Sequence, residues 1–321
     1  MASVPHSISA IANSVPSTRP PEWPAPDIAS ASLSATVTPD TIQLGDTLTV
    51  RIQLPANSPA PTVAFGERQF PAFPISSQTN PSQTNPSQTN PSQTNPSSTS
   101  PSQTSPDIQH YRALVPSSPL DTPGARSLTV MSGEEQQTFP VTVRARTFPT
   151  QSITIGSGGL QATQAELDAV SRLKAIASPI RFWNGPFLRP SGGRVSSVYG
   201  VRRYYNGVFA SDYYHRGVDY AAPLGAPIVA PAAGTIALVG REAEGFTIHG
   251  NTVGIDHGQG VVSIFLHLNQ ISVTEGQEVE AGQQVGTIGT SGASTGPHLH
   301  WGLFVHEVAV DPVPWRYEGF E

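Results

Sequence analysis

Four histidines and one aspartate in the last third of the chain are the side chains best suited to chemistry. They are His215 and Asp219 in HRGVD, His267 in FLHL, and His298 and His300 in HLH. Cysteine is absent, so any metal must be held by imidazole nitrogen or carboxylate oxygen. Two nitrogens and one oxygen from this group would make a three-ligand zinc site with its fourth position open, the catalytic rather than the structural pattern. Two histidines would then remain to handle protons, and an imidazole with an ordinary pKa of about 6.5 suits that work near neutral pH. In HLH the two histidines lie two apart, so on a strand both project from one face, and one can bind metal while the other stays free. No HExxH helix competes for a metal.

Short strands have to position these residues. From Pro179 onward, GAPIVAPAAGTIALVG, NTVGIDHG, VVSIFLHL, QQVGTIGTSG and HLHWGLFV read as β segments separated by Gly and Pro, so residues 180–316 are expected to form one compact β domain. Residues 31–148 alternate apolar and polar side chains in ASLSATVTPDTIQLGDTLTVRIQL, PTVAFGERQFPAFPI, YRALVPSS, RSLTVMS and QQTFPVTVRARTF, which predicts a small Ig-like β-sandwich. The expected fold class is therefore all-β. The sandwich is interrupted at 77–106 by six copies of an SQTNP repeat, the last two degenerate. With no large apolar residue, the repeat has nothing to offset the entropy of ordering it and is expected to be a solvated spacer. Loop-closure cost grows slowly with length, so the host domain can tolerate it.

One helix is legible. Thr163 and Glu166 form a capping-box pattern, and Leu167, Val170, Leu173 and Ile176 follow at helical spacing, which predicts a helix over 163–177 within a linker at 149–179. Its exposed face is polar, as in a connector, and no chemistry is assigned to it. Residues 1–30, rich in Pro, Ser and Ala, read as a disordered leader.

Composition narrows the partners. Only 12% of residues are charged, the net charge is −6, and no block of Lys or Arg stands ready to neutralise phosphates, so nucleic acid is not an expected partner. No run of about eighteen apolar residues occurs, so no transmembrane helix is expected. The opening residues lack a basic region and have an interrupted apolar stretch, so they are not read as a signal peptide.

The order of motifs from Ser196 to Trp315 resembles the catalytic domain of the lysostaphin-type, or LytM-type, zinc endopeptidases that cut the peptides of bacterial peptidoglycan. The resemblance runs through Gly200 and Arg202, HRGVDYAAPLGAPIVAPAAGTI, GNTVGIDHG, FLHL, VEAGQQVGTIGTSGASTGPHLHWGL and the Asp311-Pro312 pair, about two-fifths of the chain. It implies an antiparallel, duplicated-hybrid-motif-like sheet with a groove and one zinc ion at its floor. On that pattern His215, Asp219 and His300 are the metal ligands, and His267 and His298 act beside them as the catalytic pair. Arg202 and Asn251 would lie near the substrate, and His257 would be structural. Two positions depart from the pattern: Phe265, where Tyr is common, and Gly302, where an acidic residue is frequent.

The resemblance further implies hydrolysis of peptide bonds in peptidoglycan stem peptides or cross-bridges, at the bacterial envelope in the periplasm or outside the cell. The N-terminal domain would be free to contact other envelope proteins. The alternative is a non-catalytic, cell-wall-binding regulator of other hydrolases. Degenerate domains of that kind typically lack one or more of the five residues, and all five stand here.

Overall fold

Among the described residues, the alternating apolar residues of the sandwich region form β1 (Ser34–Thr38), β2 (Thr41–Gln43), β3 (Thr47–Pro55), β4 (Thr62–Phe65), β5 (Arg68–Pro71), β6 (Phe73–Pro74), β7 (Ile108–Pro116), β8 (Gly124–Ser132) and β9 (Glu135–Arg144). A computed structural model of the protein describes residues 32–75, 108–154 and 161–320; the expected leader and the SQTNP insert lie outside the described residues. One sheet runs β1-β3-β7-β6 and the other β2-β9-β8-β4-β5. Their inner faces carry residues two apart, such as Leu48, Val50, Ile52 and Leu54 of β3 against Val63, Leu128, Val130 and Val141, all buried. Each such side chain contributes about 1.5–3 kcal/mol when fully buried.

Beyond the sandwich come β10 (Thr150–Ile153), helix α1 (Gln164–Lys174), β11 (Arg194–Ser197), β12 (Arg202–Tyr205), β13 (Val208–Phe209), β14 (Val218–Ala221), β15 (Pro227–Val229) and β16 (Gly234–Gly240). They are followed by β17 (Thr252–Gly258), β18 (Val261–Leu266), β19 (Leu268–Ile271), β20 (Glu278–Val279), β21 (Gln284–Ile288), β22 (His298–Val305) and β23 (Val308–Val310). The main sheet has the order β11-β14-β22-β18-β17-β16-β20, with β23 on β22; β15-β21-β19 form a second, three-stranded sheet. A second hydrophobic core, around Trp301, Leu299, Phe265, Ile255 and Val285, lies beneath these strands. The fold is all-β around one helix among the described residues.

The described residues from Ser32 onward form one compact unit. Arg146 pairs with the buried Asp311 at 2.7 Å, and the Asp311 N–H donates to the Gly45 carbonyl at 2.8 Å, so the sandwich is bonded to the end of the main sheet. The chain leaving the sandwich as β10 pairs in parallel with β12, which folds back on β13.

Helix α1 is shorter than its apolar spacing predicts. Thr163 caps its start and Ala175 its end, where the Ala175 N–H reaches both the Leu173 and Ser171 carbonyls. The following residues are drawn into other bonds: the Ser178 carbonyl accepts from the Gln259 N–H at 2.6 Å, and its hydroxyl donates to Asp256. Pro179 then disfavours helix at the residue before it. Of the apolar positions, Val170 and Leu173 are buried while Leu167 is 48% exposed. Leu173 lies against Gly254 of β17, where any Cβ would collide with it. Among the described residues no helix is long and apolar enough to cross a membrane.

Candidate metal centre

Register brings the predicted residues together. In the antiparallel pairing of β14 with β22, Asp219 stands opposite His300 and Ala221 opposite His298, so all four project from one face of the sheet. His215 precedes β14 and is tied down at both backbone ends: its N–H donates to the Val201 carbonyl, and its carbonyl accepts from the Gly200 N–H, each at 2.9 Å. The result is a tight triangle. His215 Nε2 lies 3.1 Å from Asp219 Oδ1 and 3.1 Å from His300 Nδ1, and the last two atoms are 2.9 Å apart.

This donor set fits a divalent cation. The His215 Nδ1–H donates to the Val198 carbonyl at 2.8 Å, which leaves Nε2 as the lone-pair atom of a neutral ring. Its neighbour Asp219 Oδ1 is also an acceptor, and a single proton on His300 Nδ1 is all that neutral rings offer to the two of them. Burial pushes the His300 pKa down, Asp219 only partly offsetting it, so adding further protons there is unfavourable. Burial also opposes ionisation of Asp219, but the two imidazoles outweigh it and hold the carboxyl well below its usual range. Three converging acceptors, one of them anionic, are satisfied by a metal ion. Among the described residues, these three are the group whose ligand atoms cluster in this way.

The other two histidines face each other beside the triangle, their rings 4.8 Å apart. The His267 Nδ1–H donates to the Ser291 carbonyl and the His298 Nδ1–H to the Gly296 carbonyl, each at 2.8 Å. Both rings are thereby oriented with Nε2 as the free lone-pair atom. Burial, reinforced by the nearby His300, lowers the His267 pKa to about 4. At neutral pH this ring is an unprotonated base.

The remaining predicted residues are placed differently. Arg202 and Tyr204 share one face of β12 with Phe209; the Arg202 guanidinium lies 5.0 Å from the Phe209 ring and donates to the Ser211 carbonyl. Arg203 and Tyr205 share the other face with Tyr213, and Arg203 Nη1 donates to the Tyr213 hydroxyl at 3.0 Å. Burial works to lower the Arg203 pKa, but Tyr213, Tyr205 and the charge of Asp219 outweigh it and raise it. Arg203 thus interacts electrostatically with Asp219 of the triangle, and motif matching alone passes over it.

Asn251 has both ends of its amide on main chain, accepting from the Glu242 N–H and donating to the Leu268 carbonyl. His257 is fully buried between the Ala233 carbonyl and the Ser263 hydroxyl, and burial lowers its pKa to about 4. Phe265 is fully buried in the core. At Gly302 a Cβ would meet Ile264 at 2.9 Å, so an acidic side chain has no room there.

The profile of peptidase family M23 matches residues 213–312, which hold all five histidine and aspartate positions. The chain carries an M23 peptidase domain of the LytM and lysostaphin type. Around it, the chain is 37% identical over 139 residues to the DD-carboxypeptidase/endopeptidase Mpg of Neisseria meningitidis serogroup B, covering 40% of this chain and 31% of that protein. It is 37% identical over 119 residues to the peptidoglycan DD-endopeptidase ShyC of Vibrio cholerae, covering 37% and 26%. The chain thus spans about a third or less of the length of these curated relatives. A putative M23 peptidase of known structure from Pseudomonas aeruginosa superposes with a TM-score of 0.54 at 24% identity, over 88% of this chain and 93% of that one, so the fold outside the M23 domain is shared as well.

Proposed function

We propose that residues 180–316 are a zinc-dependent endopeptidase acting on peptide bonds of bacterial peptidoglycan stem peptides or cross-bridges, at the cell envelope. The observation that carries this reading is the triangle of His215 Nε2, Asp219 Oδ1 and His300 Nδ1 with two oriented histidines beside it. The name of the relative ShyC, a peptidoglycan DD-endopeptidase, supports the substrate class, and that of Mpg supports the endopeptidase reaction.

His215, Asp219 and His300 would hold the zinc. Bound there, zinc would supply Lewis acidity toward a peptide carbonyl and lower the pKa of a water from about 15.7 to near 7. The chain's own work lies with His267 and His298. Each has Nδ1–H fixed on a backbone carbonyl, which presents Nε2 to accept a proton and later deliver it to the leaving amine. The low pKa of His267 keeps that nitrogen free at neutral pH.

Purified protein incubated with peptidoglycan should release free amino groups, lose this activity with a chelator, and regain it with zinc. His300→Ala should lose both zinc and turnover. His298→Ala should keep about one zinc per chain while turnover falls about 10²- to 10⁴-fold. Absence of chelator-sensitive release would refute the enzyme reading, and equal zinc loss in both variants would refute the division of the HLH pair.

A further inference from the structure

We propose that Glu166 of α1 is a positioning residue for His267, so that α1 belongs to the catalytic apparatus and is more than a connector. The inference rests on the reading of His267 as a proton carrier given above.

The Glu166 side chain has no solvent exposure. Its carboxylate is aimed at a loop more than eighty residues further along the chain. Oε2 accepts from the Thr247 N–H at 3.1 Å; Oε1 accepts from the Ile248 N–H at 3.0 Å, the His249 N–H at 2.7 Å and the His249 Nδ1–H at 2.6 Å. Three consecutive backbone N–H groups converging on one carboxylate form an anion cradle. Capping alone accounts for one further bond, from the Thr163 N–H at 3.3 Å. The helix N-terminus therefore needs only a small part of what Glu166 provides.

What the loop carries explains the rest. The His249 carbonyl accepts the His267 N–H at 3.0 Å. The Ile248 carbonyl accepts the Ala293 N–H at 3.0 Å, so the segment bearing Ser291 hangs from the same loop, and the Ser291 carbonyl orients the His267 ring. Both the backbone and the imidazole of His267 are thus held through residues 248 and 249. Restraint is needed, because His267 sits at φ 65°, in the left-handed region that a residue with a Cβ seldom adopts. A shift of about 1 Å in a proton-transfer group can cost about 100-fold in rate.

A purely structural Glu166 and a positioning Glu166 make different predictions in the full-length chain. Glu166→Gln keeps the volume but turns an NH2 donor toward backbone donors. It should lower kcat about 10- to 100-fold with KM changed less than about twofold and zinc content unchanged. Amide exchange at His267 and Ala293 should accelerate about tenfold or more, while amides of β17 and β22 keep their protection. His249→Ala, which spares the fold by leaving the three backbone donors in place, should move the same readouts in the same direction by less. Unchanged exchange at His267, or faster exchange with unchanged kcat, overturns the proposal. So does a loss of kcat that comes only with parallel loss of zinc and of β-strand protection. If the unmodified protein shows no chelator-sensitive hydrolysis, the endopeptidase reading fails, while the exchange arm still decides whether Glu166 holds His267.

Discussion

Asp219 and Glu166 are both buried carboxylates, yet their surroundings differ in kind. Glu166 at the junction of α1 and the 247–249 loop meets only hydrogen-bond donors, N–H groups and the Thr247 hydroxyl. Asp219 in the triangle meets two imidazole nitrogens, one of which is already committed as an acceptor by the Val198 bond of its ring. Burial opposes the ionised form of both, and in both the partners outweigh it and lower the pKa. The first arrangement is complete within the chain. The second has room for a cation among its acceptors, so the carboxylate of Glu166 is fully committed to the fold while that of Asp219 is also available as a ligand.

The sharpest way to break this comparison is to remove each carboxylate from metal-free protein near pH 8. Glu166→Ala leaves buried donors without an acceptor and should cost about 3–5 kcal/mol in denaturant unfolding. Asp219→Ala removes an acceptor from a group rich in acceptors and should cost less stability than Glu166→Ala, while abolishing zinc binding and turnover. Equal destabilisation by the two substitutions would show that the triangle is satisfied without metal.

The two sites also differ in how far the sequence reveals them. That His298 and His300 share a face follows from strand alternation in HLH, whereas the pairing of Asp219 with His300 is a matter of register between β14 and β22 that only the resemblance anticipates. The capping box at Thr163 and Glu166 is equally local and equally legible. The other partners of Glu166, Thr247 to His249, lie 81 to 83 residues away and were unreadable, since hydrogen bonds to backbone leave no residue-type signature. Arg203 escaped for a different reason. β12 reads RRYY, with no apolar alternation to set its phase, so nothing local says which of the two arginines packs against Tyr213. In the sandwich, the alternation of β3, β8 and β9 is plain, whereas the parallel pairing of β2 with β9 depends on chain topology beyond any local pattern.

A third buried titratable group sharpens the contrast by having neither donors nor a cation to offset its burial. His306 stacks on Phe73 and tilts against Phe70, its Nε2 buried without a partner, and burial lowers its pKa to about 4. Above pH 6.5 the ring is neutral in both folded and unfolded chains and contributes nothing to pH dependence. As pH falls from about 6.5 toward 4, the unfolded chain takes up a proton that the folded one refuses, so stability declines by about 2 kcal/mol by pH 5. His306→Phe keeps the stack and should recover most of that loss at pH 5 while leaving stability at pH 8 nearly unchanged. Unfolding curves at the two pH values would decide it, and equal gains at both would assign the effect to packing.

The smallest expected effect separates the two tasks that Glu166 performs. The Thr163 hydroxyl accepts the Glu166 N–H at 3.1 Å and donates to the Gly245 carbonyl at 3.0 Å, so it serves the helix end and the neighbouring loop but makes no bond to residues 247–249. Thr163→Ala should cost about 1 kcal/mol of stability, the usual value of an N-cap. Because the carboxylate is still held by its own donors, exchange at His267 should stay slow and kcat should stay within about twofold. A loss of kcat comparable to that of Glu166→Gln would mean that the helix end as a whole, and not the carboxylate reaching beyond it, sets the position of His267.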